Sequence, residues 1–184
     1  DATFYAVPSR PTVAGWAAKT PDGFTFSLKV PRAITHERGL ADCGEEWRRF
    51  LAALEPLGGK QGPLLFQFPY VAKRADPREY ETGDGFRARL AAFLPQVPAG
   101  ARAVVEVRNA KWLAPPLLDL LRGHGVALAL TAYYTMPGVA ELWRGPDPLT
   151  GPFVYVRFLG DHRRMDALVA QARSERGKQR EWDE

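Results

Sequence analysis

The sequence contains a single cysteine, Cys43, among its 184 residues. One cysteine excludes a small secreted fold that depends on disulfide bridges. No His-x-x-x-His or Cys-x-x-Cys spacing occurs either, so the chain has no local zinc motif. We therefore expect a protein without a metal, and convergence of His36, Glu106 and His162 from separate loops is the alternative.

Long apolar runs and glycine-rich phosphate loops are also lacking. No window approaches the roughly 18 apolar residues of a transmembrane helix, and the chain runs from Asp1 into Ala-Thr-Phe-Tyr without the features of a signal peptide. No dinucleotide fingerprint, P-loop or serine nucleophile elbow follows an apolar run. These absences predict a cytoplasmic protein with no membrane partner and no evident cofactor.

The excess of positive charge is small, because the chain has 25 basic and 21 acidic residues and a net charge of +4. Arginine outnumbers lysine 19 to 6, and the guanidinium group is the better fork for oxyanions. Two explanations of this ratio are open. One is an affinity for nucleic acid, and the other is the base composition of a GC-rich genome. We favour composition, which leaves nucleic acid as a weakly supported partner.

Short apolar runs alternate with helical patterns along one domain, which has no linker or internal repeat. The predicted strands are Thr3–Tyr5, Phe24–Val30, Leu64–Pro69, Ala103–Arg108, Val126–Thr131 and Phe153–Leu159. The predicted helices are Pro11–Lys19, Gly44–Leu57, Gly85–Leu94, Pro115–Arg122 and Arg164–Arg176. This β-α-β-α order predicts a parallel sheet with right-handed crossovers.

The strands recur about every 30 residues, the repeat of a TIM barrel with about 250 residues in eight units. The predicted fold is therefore α/β, a TIM-barrel-like parallel barrel with about six of eight units present. A doubly wound sheet is the competing architecture, and the two faces of each strand discriminate between them.

Side chains alternate between the faces of a strand. One set is large and apolar throughout: Phe24, Phe26, Leu28; Leu64, Phe66, Phe68; Val105, Val107; Val126, Leu128, Leu130; Val154, Val156, Phe158. The other set is smaller and becomes polar toward each carboxyl end: Thr25, Ser27, Lys29; Leu65, Gln67; Val104, Glu106, Arg108; Ala127, Ala129, Thr131; Tyr155, Arg157. Helices would cover the first face. A barrel lumen explains the second, because barrel sites lie at the carboxyl-terminal mouth.

Glu106 and Arg108 share that polar face at the end of one strand. The pair fits a general acid or base beside an anion anchor, and the alternative is a structural ion pair. Lys29 ends another strand and fits a base or a Schiff-base nucleophile, or a simple counter-charge. His36, in the following loop, is a third candidate for proton transfer, because its charge can switch near neutral pH.

Further polar residues end the neighbouring strands. Gln67 needs hydrogen-bond partners once it is buried, and Tyr155 and Arg157 repeat the pattern in the last strand. Trp112 follows Arg108 and either stacks over the site or packs in the core. With Lys29, Arg108 and Arg157 against Glu106, the mouth carries about +2 and would suit a small phosphate or carboxylate.

These residues support three hypotheses. The first is an enzyme that binds a small anion through the arginines while Glu106, Lys29 or His36 moves a proton. The second is a protein that binds or processes nucleic acid, with affinity that falls steeply with salt. The third is a sensor that binds the same small anion without turnover. The reaction class and the oligomeric state are left open.

Five segments also resemble the YecE-like family, domain of unknown function 72. They are Ala-Thr-Phe-Tyr, Trp-Ala-Ala-Lys-Thr-Pro-Asp-Gly-Phe-Thr-Phe-Ser-Leu-Lys-Val-Pro-Arg-Ala-Ile-Thr-His, Gly-Pro-Leu-Leu-Phe-Gln-Phe-Pro, Val-Glu-Val-Arg-Asn-Ala-Lys-Trp and Phe-Val-Tyr-Val-Arg-Phe-Leu-Gly. The resemblance runs from Thr3 to about Gly160 and implies a TIM-like barrel without an established reaction. The family's polar positions fall on Tyr5, Lys29, His36, Gln67, Glu106, Arg108, Trp112, Tyr155 and Arg157.

The sequence departs from the family pattern in two ways. Leu159 stands where many members have a histidine, so that a mechanism through this histidine would need His162 instead. The family's upstream strand with its tryptophan-containing loop, and its further strand with an asparagine-rich motif at the other end, are also absent from this sequence. The resemblance therefore implies a fragment that holds barrel strands two to seven.

Overall fold

The computed structural model describes residues 2–72, 82–160 and 162–182, except the side chains of 162–163 and 176–182. The strands in this part are β1 (Phe26–Lys29), β2 (Gln61–Gln67), β3 (Ala103–Glu106), β4 (Ala127–Ala132) and β5 (Tyr155–Phe158). The α-helices are α1 (Ala2–Tyr5), α2 (Arg10–Ala18), α3 (Gly44–Leu54), α4 (Gly83–Phe93), α5 (Pro115–Gly123), α6 (Val139–Leu142) and α7 (His162–Trp182). Shorter turns are a π-helix at Ala33–Glu37 and 3-10 helices at Glu55–Lys60, Leu94–Gln96 and Ala110–Trp112.

The five strands form one parallel sheet in the order β1-β2-β3-β4-β5. The register pairs Gln67 with Glu106 and Thr131 with Arg157. The carboxyl ends of the strands therefore meet along one edge, as the β-α-β-α pattern predicts.

The sheet is curled, as a contact between side chains of its two edge strands shows. The hydroxyl groups of Ser27 on β1 and Tyr155 on β5 lie 2.7 Å apart. In a flat sheet four strand spacings would separate these strands by about 19 Å, beyond the reach of a serine and a tyrosine. The sheet is thus an open half-barrel with a convex and a concave face.

The convex face carries the main core. The larger parity set of β2, β3 and β4 packs there against helices α2 to α5, which confirms the predicted division of faces for these strands. Trp47, Phe50 and Leu54 lie on one side of α3 and are buried, as positions three, four and seven apart on a helix should be. Trp47 contacts both Phe66 of β2 and Phe93 of α4, so one aromatic group joins two helices to the sheet.

The concave face holds a smaller apolar cluster toward the amino ends of the strands. It consists of Leu65, Val104, Ala127 and Ala129 with Phe153 and Tyr155 against them. A Cβ atom on Gly151 would stand 2.7 Å from the backbone nitrogen of Ala127, so only glycine permits this approach to β4.

The predicted helix Gly44–Leu57 is shorter in the structure, because α3 ends at Leu54 and a 3-10 helix follows. Pro56 has no backbone N–H to donate to the carbonyl of Ala52. The guanidinium of Arg10 donates to that carbonyl at 2.7 Å instead.

The first predicted strand, Thr3–Tyr5, is wrong. These residues belong to the short helix α1, and the Thr3 hydroxyl donates to the carbonyl of Lys29 at 2.7 Å. Thr, Phe and Tyr favour strands intrinsically, but here tertiary contacts at the end of β1 decide. The described residues thus contain five strands and not the six predicted.

The outer face of β5 also differs from the prediction of a helix-covered face. Val154, Val156 and Phe158 are exposed, Phe158 to 81%. Met165 and Leu168 of α7 are exposed as well, so α7 does not cover this strand. An amphipathic pattern predicts that a helix has an apolar side, but not which strand that side meets.

In the residues that the structure describes, no helix has both the length and the apolar character needed to cross a membrane.

Candidate functional site

The carboxylate of Glu106 lies between two guanidinium groups at the carboxyl edge of the sheet. Glu106 ends β3 and is fully buried. Arg108 Nη2 is 2.5 Å from its Oε1, and Arg157 Nη1 of β5 donates to its Oε2 at 2.5 Å. One carboxylate thus pairs with two guanidinium groups, and the three side chains together carry a net charge of +1.

The inner arginine has a buried donor without an acceptor. Among the described residues, Arg108 Nη1 is buried and makes no hydrogen bond, and Glu106 Oε1 meets Arg108 only as an ion pair. The Tyr133 ring lies 3.8 Å from the Arg108 guanidinium carbon. Burial lowers the pKa of Arg108, although the neighbouring Glu106 opposes this shift. An anionic ligand would supply the acceptor that Nη1 lacks.

Lys29 ends β1 and faces the same concave side. Its Nζ lies 3.7 Å from the centre of the Phe4 ring. Burial lowers the pKa of Lys29 to about 8, with Arg157 as the second cause and Glu106 acting in the opposite direction. A lysine with this pKa exists partly as the free amine near pH 8.

His36 contacts the same phenylalanine ring as Lys29 does. Its ring centre is 4.9 Å from that of Phe4, and its Nδ1 is 2.8 Å from the Thr35 hydroxyl. Burial and then the charges of Lys29 and Arg32 lower the pKa of His36 to about 4. A pKa of about 4 favours the neutral imidazole at neutral pH, whereas the sequence predicts a charge that switches there.

Gln67 and Tyr155 lie on the concave face next to the charged groups. Gln67 is buried opposite Glu106 in the sheet, and its Nε2 donates to the carbonyl of Phe68 at 2.5 Å. The Tyr155 hydroxyl meets Ser27 one layer nearer the amino ends of the strands. Both residues border the charged group, as the strand parity predicts.

Tyr5 and Trp112 each pack against an aromatic ring, Tyr5 against Phe4 and Trp112 against Phe86. Tyr5 is 73% exposed on α1. Trp112 stacks on Phe86 with 4.5 Å between ring centres and borders a cavity of about 40 Å³ that His36 also lines. Among the described residues, neither side chain contacts an arginine or the carboxylate of the site. The packing interpretation of Trp112 is the better one.

Sequence reasoning missed two aromatic residues of the site, Phe4 and Tyr133. Phe4 had been assigned to a strand, and nothing in its sequence context indicates contact with Lys29. Tyr133 was detectable, because the alternation that selected Thr131 on β4 leads to position 133 two residues later.

A metal site has little support in the geometry. The described residues contain no group of three His, Cys, Asp or Glu side chains that could hold an ion. Glu106, a candidate ligand, has both oxygens against arginines, and the side chain of His162 lies outside the described residues. Cys43 is buried, and burial raises the pKa of its thiol, which disfavours a nucleophilic role.

Lys29, Arg108, Arg157 and Glu106 thus form one positively charged group, which we call the basic cluster. It carries +2 with the lysine protonated and +1 with the free amine, counted from one carboxylate and three cations. Such a cluster can bind an oxyanion through the guanidinium groups, and it can take up or release a proton at Lys29.

Solved structures share this fold. A DUF72 family protein from Thermotoga maritima MSB8 superposes with a TM-score of 0.65 at 24% identity, over 88% of this chain and 59% of the other. A DUF72 family protein from Enterococcus faecalis V583 has a TM-score of 0.66 at 21% identity, over 87% of this chain and 58% of the other. These likenesses concern the fold alone.

One curated relative is the UPF0759 protein YunF of Bacillus subtilis (strain 168), which is 28% identical over 132 residues. The match covers 65% of this chain and 41% of YunF, so the chain spans less than half of that relative and about three fifths of the two structures. The family described as Protein of unknown function DUF72 matches residues 1–184. The chain belongs to this family.

Proposed function

We propose that the basic cluster binds a small phosphate- or carboxylate-bearing compound and that the chain acts on it as an enzyme by acid–base chemistry. The observation that carries the proposal is Arg108 Nη1, a buried donor with no acceptor among the described residues. Leaving such a group unsatisfied costs about 1–3 kcal/mol. An oxyanion between Arg108 and Arg157 would remove that cost.

The roles within the cluster follow from its contacts. Glu106 is buried with both oxygens against guanidinium groups, which suits a positioning residue that orients Arg108 and Arg157. We assign proton transfer to Lys29, because its lowered pKa of about 8 allows it to act as acid and as base. His36, neutral at this pH, would accept a hydrogen bond or a proton beside it.

We further propose that the half-barrel belongs to a closed TIM-like barrel. In a barrel of eight strands the first and the fifth strand of a run face each other across the lumen. The Ser27–Tyr155 contact between β1 and β5 has this relationship. The basic cluster would then lie at the carboxyl-terminal mouth, where barrel enzymes have their sites.

The test is a thermal-melt screen with inorganic phosphate, sugar phosphates, nucleotides and small carboxylates. A ligand that binds only the native state raises the melting temperature in a saturable way. We expect this rise in the wild-type chain and in Arg144→Ala, which removes an exposed arginine outside the cluster. Arg108→Ala should abolish the rise. Arg108→Lys, which keeps the charge but loses the fork, should weaken it.

The proposal fails if no small anion shifts the melting temperature, or if Arg108→Ala and Arg144→Ala respond alike. If a ligand does bind, its turnover is followed by mass spectrometry. Binding without product would favour the sensor. Binding of DNA or RNA that falls steeply with salt would favour the nucleic-acid hypothesis, in which exposed arginines and not the buried pair carry the affinity.

A further inference from the structure

We propose that Lys29 forms an imine with the carbonyl carbon of a small aldehyde or ketone whose phosphate or carboxylate lies on Arg108 and Arg157. This inference rests on the proposed anion site and extends it by naming the substrate class: α-keto acids and phosphorylated carbonyl compounds.

The sheet brings the amine and the anion anchor to the same layer. Ser27 and Tyr155 are in contact across the concave face. Lys29 follows Ser27 by two residues on β1, and Arg157 follows Tyr155 by two residues on β5. Because the strands are parallel and side chains alternate, Lys29 and Arg157 both lie one layer further toward the carboxyl edge. A small molecule held by Arg157 would therefore present its other end toward Lys29.

The surroundings of Lys29 leave the amine available. Among the described residues it makes no hydrogen bond and no ion pair, and its close neighbour is the apolar ring of Phe4. The carboxylate that could neutralise it, Glu106, is already occupied by two arginines. Desolvation and the neighbouring guanidinium groups lower the pKa of Lys29 to about 8, which increases the share of free amine at neutral pH.

A second half-buried lysine shows what a structural lysine is like in this fold. Lys60 donates to the carbonyls of Ala17 and Thr20, both at 2.7 Å, and so ties α2 to the segment before β2. Its ammonium is satisfied by backbone acceptors. Lys29 lacks such acceptors in the described part of the chain, so a purely structural role explains Lys60 but not Lys29.

The chemical step balances without an oxidant or a reductant. The free amine attacks the carbonyl carbon, a C–N bond forms, and the carbonyl π electrons move to oxygen. A proton passes from nitrogen to that oxygen and gives a carbinolamine. The hydroxyl group then leaves as water with the second proton of the nitrogen, and the C=N bond remains. An imine withdraws electrons from the adjacent carbon, so it would make a proton on that carbon easier to remove.

The experiment is reductive trapping with borohydride, followed by intact mass and peptide mapping of the full chain. The probes are dihydroxyacetone phosphate and pyruvate, and dihydroxyacetone is the neutral control. We expect one adduct on Lys29, formed from the phosphorylated probe about tenfold faster than from the neutral one, because only the former is held by the arginines. Lys29→Arg should lose the adduct, and Lys111→Arg, which removes an exposed lysine, should keep it.

Adducts spread over several lysines, or equal labelling by the charged and the neutral probe, would overturn the inference. A melt of each variant shows whether it is folded. If Lys29→Arg does not fold, the peptide map of the wild-type chain still shows whether the adduct is on Lys29. Saturable stabilisation by inorganic phosphate without an adduct on Lys29 would contradict the imine and still support the anion site. The absence of stabilisation by any anion would remove both.

Discussion

The convex and concave faces of the sheet are built from the same strands, yet they differ in size and charge. On β2, Leu64 and Phe66 point into the main core, whereas Leu65 and Gln67 belong to the concave side. On β2, β3 and β4 the convex face is apolar from end to end and covered by helices. The concave face is apolar only toward the amino ends and then turns to Lys29, Glu106 and Arg157.

This difference separates two kinds of burial. Apolar burial on the convex face lowers the free energy of the fold by about 1.5–3 kcal/mol for each large side chain. Burial of charges on the concave face costs desolvation energy that ion pairs rarely return in full. A charged group at one end of a sheet is therefore poorly explained by stability, which is one reason why we propose a ligand site there.

The largest effect is expected on the convex face. Phe66→Ala should lower the free energy of unfolding by about 3–5 kcal/mol, because it leaves a cavity among Trp47 and Phe93. Phe158→Ala on the bare outer face of β5 should change it by less than about 0.5 kcal/mol. Urea denaturation measures both, and equal losses would mean that β5 is covered in solution.

Glu106→Gln comes next and acts on the concave face. Removal of the shared charge leaves the buried Arg108 and the partly exposed Arg157 without a counter-charge. This should cost about 3 kcal/mol, at the low end for a broken buried pair. Glu45→Gln on the exposed surface of α3 should cost less than about 1 kcal/mol. Millimolar phosphate should restore more stability to Glu106→Gln than to the wild-type chain. An unchanged melting temperature would show that the ion pairs are not formed.

A smaller effect tests the curvature that separates the two faces. Ser27→Ala, Tyr155→Phe and the double variant form a thermodynamic cycle, and we expect a coupling energy of about 0.5–1.5 kcal/mol for one hydrogen bond. Ser9→Ala combined with Tyr155→Phe is the control, since Ser9 caps α2 elsewhere. Zero coupling in the first cycle would contradict the meeting of β1 and β5.

The smallest effect is the pH dependence due to His36, whose ring is only half buried. Its pKa is about 4 in the folded chain and about 6.5 when unfolded, because of burial and the charges of Lys29, Arg32 and Arg108. Between these values the unfolded chain binds more protons, so stability falls as pH drops from about 6.5 to 4. His36→Asn should flatten this part of the melting curve against pH. A slope identical to that of the wild-type chain would assign the acid sensitivity to other groups.

Much of the fold was predictable because alternation and helical periodicity are local. The five strands that form the sheet, and the faces of β2, β3 and β4, follow from apolar residues at intervals of two. The same alternation selected Glu106, Arg108, Arg157 and Lys29 before any contact was known. The short segment Thr3–Tyr5 was predicted wrongly, since its strand propensity is outweighed by the contact of Thr3 with the end of β1.

The order of residues in each strand, by itself, determined which residues face outward and which face the inner side, because the side-chain period of a strand is two. Only the tertiary structure decided that Glu106 is shared by two arginines, that Phe4 lies under the amine of Lys29, and that Trp112 stacks on Phe86. These outcomes depend on the curvature of the sheet and on loops distant in sequence. No local periodicity encodes the distance between Glu106 and Arg157, which are 51 positions apart in the sequence.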